Sequence, residues 1–384
     1  MNRENGFTTL TITLMLVSIL VSVSVFIGKA LVSEKRIALN EIEYRVAYAA
    51  AEKGVAEAIA WIKVDSTASG ASGTVNSSAA QASYSVTMTP NATTSGVTDI
   101  LSVATLPGGG QARISMQVAE RGILNPDNSG PAAPMMINGT APLSGNITIV
   151  ANPNGSGKGV PVSVWSKDTV DIGGNAKTCG MEEYKENGCT TKNAYSYNQG
   201  STPVIGTDIV ANDPGFPSDM FDYVFGEPDS AAAWEHIHAK ATAIVSSCTD
   251  PLLTGGAGFF IVEGSSGTCT FGTVGSPTSP VILLVKDANV VMNGGSVFHG
   301  LLFSYDSDPD SEPDYTLSAA GGATVYGSLL ANHNGVKLTG GTFKFIYDEG
   351  IICDLSGCVN SSLGTGSSNP FISIDIIPGS WKDW

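Results

Sequence analysis

Apolar and small polar residues run without a charge from Phe7 through Gly28, 22 positions in a row, before Lys29, Glu34, Lys35 and Arg36 end the stretch. About 20 residues carry a helix across the hydrocarbon of a bilayer, so this run predicts a transmembrane segment. The pattern then changes period instead of stopping. Between Leu31 and Trp61 there is no Pro and one Gly, Gly54, while Ile37, Asn40, Tyr44, Ala47, Ala51 and Val55 recur at spacings of three and four, as one helix face requires. Glu41 and Arg45 stand at i and i+4, a weak favourable pair. Residues 7–62 therefore predict one helix of about 85 Å, half in lipid and half projecting as an amphipathic stalk.

After the helix the period becomes two. Residues 64–80, rich in Ser, Ala, Thr and Gly, read as a connector. Tyr84–Thr89, Ile100–Thr105 and Ala112–Val118 alternate apolar and polar as half-buried antiparallel strands do, with turn material at Pro90–Thr98 and Pro107-Gly108-Gly109-Gly110 between them. A small sheet over residues 63–124, packed on the stalk, is the expectation. Asn125–Pro134, with three prolines, reads as a linker. Beyond it, Gly294-Gly295-Ser296-Val297-Phe298-His299-Gly300-Leu301 parallels Gly321-Gly322-Ala323-Thr324-Val325-Tyr326-Gly327-Ser328. Gly340-Gly341 begins a third copy and Gly173-Gly174 marks an earlier one. Short strands separated by Gly-Gly corners fit the coils of a β-solenoid, each burying its apolar positions on its neighbours; a β-sandwich is the alternative. A helix over Ser230–Ser247, entered through Pro228-Asp229, interrupts the pattern near 218–248. The fold class expected is α+β: a long helix and small antiparallel sheet, then a Gly-rich, mainly-β domain over 135–384.

Composition narrows the setting. Only 14% of the 384 residues are charged and 45 are Gly, which suits an exported β-rich chain with many tight turns. Residues 1–63 hold seven Lys/Arg against six Asp/Glu, whereas the remainder holds 12 against 29. An acidic distal part argues against nucleic acid as a partner. The six cysteines, Cys179, Cys189, Cys248, Cys269, Cys353 and Cys358, all lie in that distal part and read as disulfides of an exported protein. The local pairs Cys179–Cys189, Cys248–Cys269 and Cys353–Cys358 are expected. Zinc would want closer Cys-x-x-Cys or His partners.

Taken with the leader residues before Phe7, the N-terminus resembles a type IV prepilin: a short polar leader, Gly6-Phe7-Thr8, and an apolar helix flowing into an amphipathic one. Tyr48-Ala49-Ala50-Ala51-Glu52, following Glu34-Lys35-Arg36, is similar to the helix of PilX-type minor pilins. The endings Tyr347-Asp348 and Pro378-Gly379-Ser380-Trp381 resemble, more loosely, the tails of PilX-like proteins with solenoid domains. The resemblance implies that prepilin peptidase cuts the 1–6 leader after Gly6 and methylates the new N-terminus at Phe7. It also implies an inner-membrane precursor, other minor and major pilins as partners, and a place in a pilus on the cell surface. Thr11 departs from the pattern, because shaft pilins carry a Glu five residues into the mature helix that pairs with the terminal amine of the preceding subunit. A charge in lipid is costly unless paired, so a subunit with nothing ahead of it gains nothing from that Glu. Thr11 thus predicts a subunit at the tip or at the start of assembly; a tolerated variant is the competing reading.

Catalytic chemistry finds little support. His236 and His238 would point apart on a helix, and no nucleophile elbow or HExxH motif is present. Gly155-Ser156-Gly157-Lys158-Gly159 lacks the first Gly and the Ser/Thr of a phosphate loop and reads as a turn. Asp306, Asp308, Asp310, Glu312 and Asp314 could supply oxygens to Ca²⁺, though Pro309 and Pro313 break any EF-hand likeness and a solvated acidic loop is the preferred reading. No other cofactor is expected. The leading function is a minor pilin that helps to initiate pilus assembly and sits at or near the tip, with a tip adhesin as a further candidate partner. The alternatives are a tip-capping pseudopilin of type II secretion, and an adhesin that grips a ligand through the β domain, for which Tyr195, Tyr197 and Trp384 are candidate exposed aromatics.

Overall fold

The structure is a computed structural model that describes residues 4–64, 68–77, 80–94, 96–125, 128, 130–199, 202–264, 267–308, 315–319, 321–357 and 369–384. The chain forms two compact units. One comprises residues 1–62, 67–119 and 375–384, the other 63–66 and 120–374.

In the first unit, helix α1 (Glu4–Val64) is unbroken. β1 (Gly70–Asn76), β2 (Gln81–Pro90), β3 (Val97–Thr105) and β4 (Gln111–Gly122) follow as an antiparallel meander. Alternation decides which strand face is buried: Ala82, Tyr84, Val86 and Met88 of β2, and Ala112, Ile114, Met116 and Val118 of β4, lie in the core. The helix contributes Ala47, Ala50, Ala51, Val55, Ala58 and Ile62, a stripe at helical spacing. Gly54 lies where the two layers approach most closely. A Cβ there would stand 2.4 Å from Ser102 Oγ and 2.9 Å from Tyr84 and Val86, so the lone glycine of the stalk is a packing requirement.

The second unit begins with β5 (Met135–Ile137), β6 (Ala141–Val150), β7 (Val164–Ser166), β8 (Val170–Gly174) and β9 (Lys177–Cys179). Then come α2 (Met181–Asn187), β10 (Tyr197–Gln199), β11 (Thr202–Val204), β12 (Ile209–Val210), α3 (Met220–Phe225) and α4 (Ala231–Lys240). The remainder is β13 (Ala243–Val245), β14 (Gly258–Val262), β15 (Thr268–Phe271), β16 (Val281–Lys286), β17 (Asn289–Met292), β18 (Val297–Tyr305), β19 (Leu317–Ala319), β20 (Ala323–Ala331), β21 (Val336–Ile346) and α5 (Glu349–Ser356). β22 (Ile372–Ile376) and β23 (Lys382–Asp383) end the chain, β23 pairing with β4 at Ser115 and Ile114 in the first unit.

Parallel strands curl into a solenoid. One face stacks in the order β13-β14-β16-β18-β20-β5-β7-β12, a second in the order β15-β17-β19-β21-β6-β8. The bent halves of β18, β20, β21 and β6 with β9 make a third. Stack order is not chain order. From β5 the chain winds outward to β12, crosses through α3 and α4 to the other end at β13, and winds back until β20 and β21 dock on β5 and β6. A single register column passes through the seam: Ala243, Phe260, Leu283, Leu302, Leu329, Met135, Val164, Ile209.

Two apolar layers follow from this. The interior column packs with Phe271, Phe298, Phe343 and Phe345 inside the coil. The outward side of the first face, with Phe259, Ile261, Ile282, Leu284, Leu301 and Phe303, is covered by Phe221, Val224 and Phe225 of α3, Ile237 of α4, and Ile351 and Leu355 of α5. A face buried on both sides needs continuous apolar runs, hence Val281–Val285 and Leu301–Phe303. Asp219, Ser230 and Asp348 cap the three covering helices, each satisfying amides that the helix start leaves open. At the bend within β20, Gly327 has φ +123°, and a Cβ there would stand 2.0 Å from the Gly300 oxygen one coil away.

The solenoid is the expected one; several boundaries differ. The Ser/Gly-rich stretch read as a connector contains β1, because small residues at a sheet edge pair through backbone without a hydrophobic signature. Residues 125–134 adjoin buried Ile123, Leu124 and Ala133 and belong to the second unit rather than to a free linker. Helix α4 stops at Lys240, and Ala243–Val245 is the terminal strand. Residues 375–384, expected in the β domain, return to the first unit, where Ile377 N–H donates to Gln117 O at 3.0 Å.

Candidate functional site: the exposed helix and the polar sites of the solenoid

Helix α1 is divided by burial. Every described side chain from Leu10 to Ile42 is exposed, including Leu14, Met15, Leu16, Ile19, Leu20 and Phe26, and an 18-residue window reaches a mean hydropathy of 2.6 with none of it buried. From Ala47 onward the same helix is half core. An apolar surface of this length is unstable in water and stable in lipid or against other apolar helices. Gly6 and Phe7 lie on the backbone of α1, and their side chains fall outside the described residues. Thr11 is exposed on the apolar half.

Below the apolar half, charged residues take helical pairings: Glu41–Arg45 at 2.9 Å and Lys53–Glu57 at 3.7 Å. Tyr84 donates its hydroxyl to Glu57 across the helix–sheet contact. Burial, then the hydrogen bond to that carboxylate, push the Tyr84 hydroxyl up to about 12, so it stays a donor at any physiological pH.

In the second unit, disulfides join Cys179 to Cys189 and Cys248 to Cys269, with Cα atoms 5.7 and 5.1 Å apart. Cys353 is disulfide-bonded too; Cys358 lies outside the described residues. Of the acidic loop, Asp306 is buried and its Oδ1 accepts from the Asp308 N–H at 3.0 Å. Asp310, Glu312 and Asp314 lie outside the described residues. Among the described residues no three His, Cys, Asp or Glu side chains group as a metal site.

The histidines are separated. His236 Nδ1 faces Glu227 at 2.9 Å and His238 Nε2 faces Glu263 at 3.2 Å; His299 stacks on Tyr326. His333 is buried, and its Nδ1 accepts from the Gly335 N–H at 3.0 Å. The neutral ring therefore carries its proton on Nε2, which donates to Ser304 Oγ at 2.8 Å. Burial lowers its pKa to about 4. Asp208, also buried, accepts from Thr178 and Ser196 hydroxyls at 2.6 Å each. These groups lock turns of the solenoid and none forms a nucleophile–base pair. Tyr195 and Trp384 are exposed and Tyr197 is half-buried.

A cavity of about 610 Å³ opens in the second unit between Leu124, Asn128 and Gly130–Ala132 on one side, the 152–155 turn, Tyr223 of α3, and Tyr347 with α5. Its walls come from four separated stretches, so no local motif announced it.

Comparison with known proteins bears on the helix. Residues 5–56 match the family model described as PilX N-terminal, so this segment is similar to the N-terminal helix of PilX-type pilins, the likeness that Glu34-Lys35-Arg36 and Tyr48-Ala49-Ala50-Ala51-Glu52 carried in the sequence. No curated protein matches the chain. Among solved structures, the competence-associated pilin ComZ from Thermus thermophilus is similar at 11% identity, over 88% of this chain and 97% of that one, with a TM-score of 0.27. That likeness is too distant to carry weight.

Proposed function

We propose that this chain is a minor pilin that takes part in initiating type IV pilus assembly and sits at or near the pilus tip. The observation that carries this reading is the division of α1: an apolar half wholly exposed, continuous with a half that builds the core of a small sheet domain. Such a helix can first anchor a precursor in the inner membrane and then exchange lipid for the apolar helices of neighbouring pilins without refolding its globular end. Prepilin peptidase would cut after Gly6, leaving Phe7 as the methylated terminus. The partners are other minor and major pilins, and an adhesin carried at the tip. Among the described residues no constellation of side chains points to catalysis.

Thr11 supports the tip. A leading subunit has no preceding amine to neutralise, so a carboxylate there would be an unpaired charge in an apolar surrounding. Replacing Thr11 by Glu should lower pilus number severalfold or shift the subunit, detected by immunogold labelling, from the tip into the shaft. Unchanged piliation and unchanged tip labelling overturn the tip reading. Deleting the chain and counting pili tests the assembly role itself: normal pilus number overturns it.

A further inference from the structure

Tyr347 closes β21's coil before α5, and its ring is 95% buried, yet its hydroxyl has no hydrogen-bond partner among the described residues and lines the cavity. A hydroxyl that the rest of the chain leaves without a partner beside a cavity is a donor and acceptor open to a ligand. The wall opposite is built to leave room. Gly130 has φ +99°, and a Cβ on it would stand 2.4 Å from Ile352 Cγ2 and 3.9 Å from the Tyr347 hydroxyl. Any larger residue would fill the space between them.

The remaining polar groups are of mixed type. Asn128 spends its amide N–H on the Tyr223 carbonyl at 2.9 Å, leaving its oxygen as an acceptor. Asn154 spends its oxygen on the Gly159 N–H at 2.9 Å, leaving its amide N–H groups as donors. Tyr223's hydroxyl accepts from the Ala132 N–H at 3.0 Å and keeps its own proton to give. Leu124, Pro131 and Ile352 supply apolar surface. No Lys, Arg or His lines the cavity among the described residues, and the one charged group is the Glu349 carboxylate. Both burial and the neighbouring Tyr223 and Glu349 raise the Tyr347 pKa, so that hydroxyl stays protonated.

We infer that this cavity binds a neutral saccharide, its hydroxyls meeting Tyr347, Asn128, Asn154 and Tyr223 and its C–H face resting on Pro131 and Ile352. Alternating donors and acceptors beside apolar surface match a sugar ring, which carries both on the same small body, and the volume is that of a ligand site rather than a packing void. The lone carboxylate and the missing cations select against phosphorylated, sulfated and uronic sugars. The inference goes beyond the pilin reading and does not depend on it, since it concerns binding by the isolated protein.

The test uses the full chain in a detergent without a sugar headgroup, titrated with glucose, galactose and N-acetylglucosamine, and with glucuronate as the charged probe, by saturation-transfer NMR. At least one neutral sugar should bind, and glucuronate should bind about tenfold more weakly. Tyr347→Phe keeps the ring and should weaken binding roughly tenfold, the loss of a hydrogen bond the sugar alone satisfies, with no change in melting temperature. Should that variant melt early, the exposed Glu349→Gln decides instead: glucuronate binding should rise toward that of the neutral sugar. If no neutral sugar in the panel binds, the inference falls. It falls equally if Tyr347→Phe binds as wild type, or if glucuronate binds as tightly before Glu349→Gln as after it.

Discussion

His333 shows how a single residue can set the pH response of the molecule. Its ring is buried with both nitrogens engaged, Nδ1 accepting and Nε2 donating, which fits the neutral form and leaves no room for a second proton. Its folded pKa is lowered from 6.5 to about 4. Above pH 6.5 neither the folded nor the unfolded chain carries the charge, and His333 adds no pH dependence. Between 6.5 and 4 the unfolded chain takes up a proton that the folded chain refuses, so stability falls as pH falls. By pH 4 the loss approaches roughly 3 kcal/mol. Thermal melts should therefore drop steeply across that window, and His333→Gln, which loses the titration, should flatten the slope there while lowering stability at pH 7. A slope unchanged by the substitution would show that other groups govern it. None of this was legible in the sequence, where His333 stands in Ala331-Asn332-His333-Asn334-Gly335, an ordinary polar turn. By contrast, Gly327 and Gly300 were visible as matched positions of a repeat, because a Cβ on Gly327 would stand 2.0 Å from the Gly300 oxygen one coil away, which leaves only glycine there.

At the level of elements, periodicity carried most of the fold. The stalk's spacing of three and four and the alternation in β2, β3 and β4 are consequences of burying one face, and they read directly. The repeated Gly-Gly corners gave the solenoid for the same reason: stacked coils demand the same backbone at the same place. What could not be read is which coils touch, since β20 and β5 pair across most of the second unit's sequence. Leu329 lies in the interior column at that seam, paired with Met135. Cutting it to Ala removes a fully buried side chain and should cost about 2–5 kcal/mol. Because the seam joins coils about 200 residues apart in the sequence, contacts there require a large loop closure. Leu329→Ala should thus raise the unfolding rate more than it lowers the folding rate, measured by denaturant-jump kinetics. A dominant effect on folding would place the seam in the nucleus instead.

At the scale of the whole chain, the solenoid is an insertion into the helix-and-sheet unit. The first unit is interrupted after Ala119 and resumes at Asp375, and its two cut ends are held side by side. Ile377 N–H donates to Gln117 O at 3.0 Å, and Arg113 and Trp384 exchange backbone hydrogen bonds at 3.0 and 3.1 Å. The second unit holds its own ends together in the same way, Ile123 N–H donating to Phe371 O at 2.9 Å. Sequence adjacency assigned residues 375–384 to the β domain, and no local pattern in Pro378-Gly379-Ser380-Trp381 could reveal a return over so long a separation. Each unit also has its own apolar core, the helix stripe and sheet in one, the coil interior in the other. Replacing residues 120–374 with Asn-Gly would leave the strands on either side joined by a two-residue hairpin turn, a connection suited to an antiparallel pair. The shortened chain should keep its helical circular-dichroism signal and melt cooperatively in detergent; a chain without a cooperative transition would show that the sheet domain needs the solenoid to fold. If assembly resides in α1 and its sheet, the shortened chain should also restore pilus number in a strain lacking the full-length protein, while any saccharide binding disappears. Failure to restore pili by a chain that melts cooperatively would move the assembly role into the solenoid.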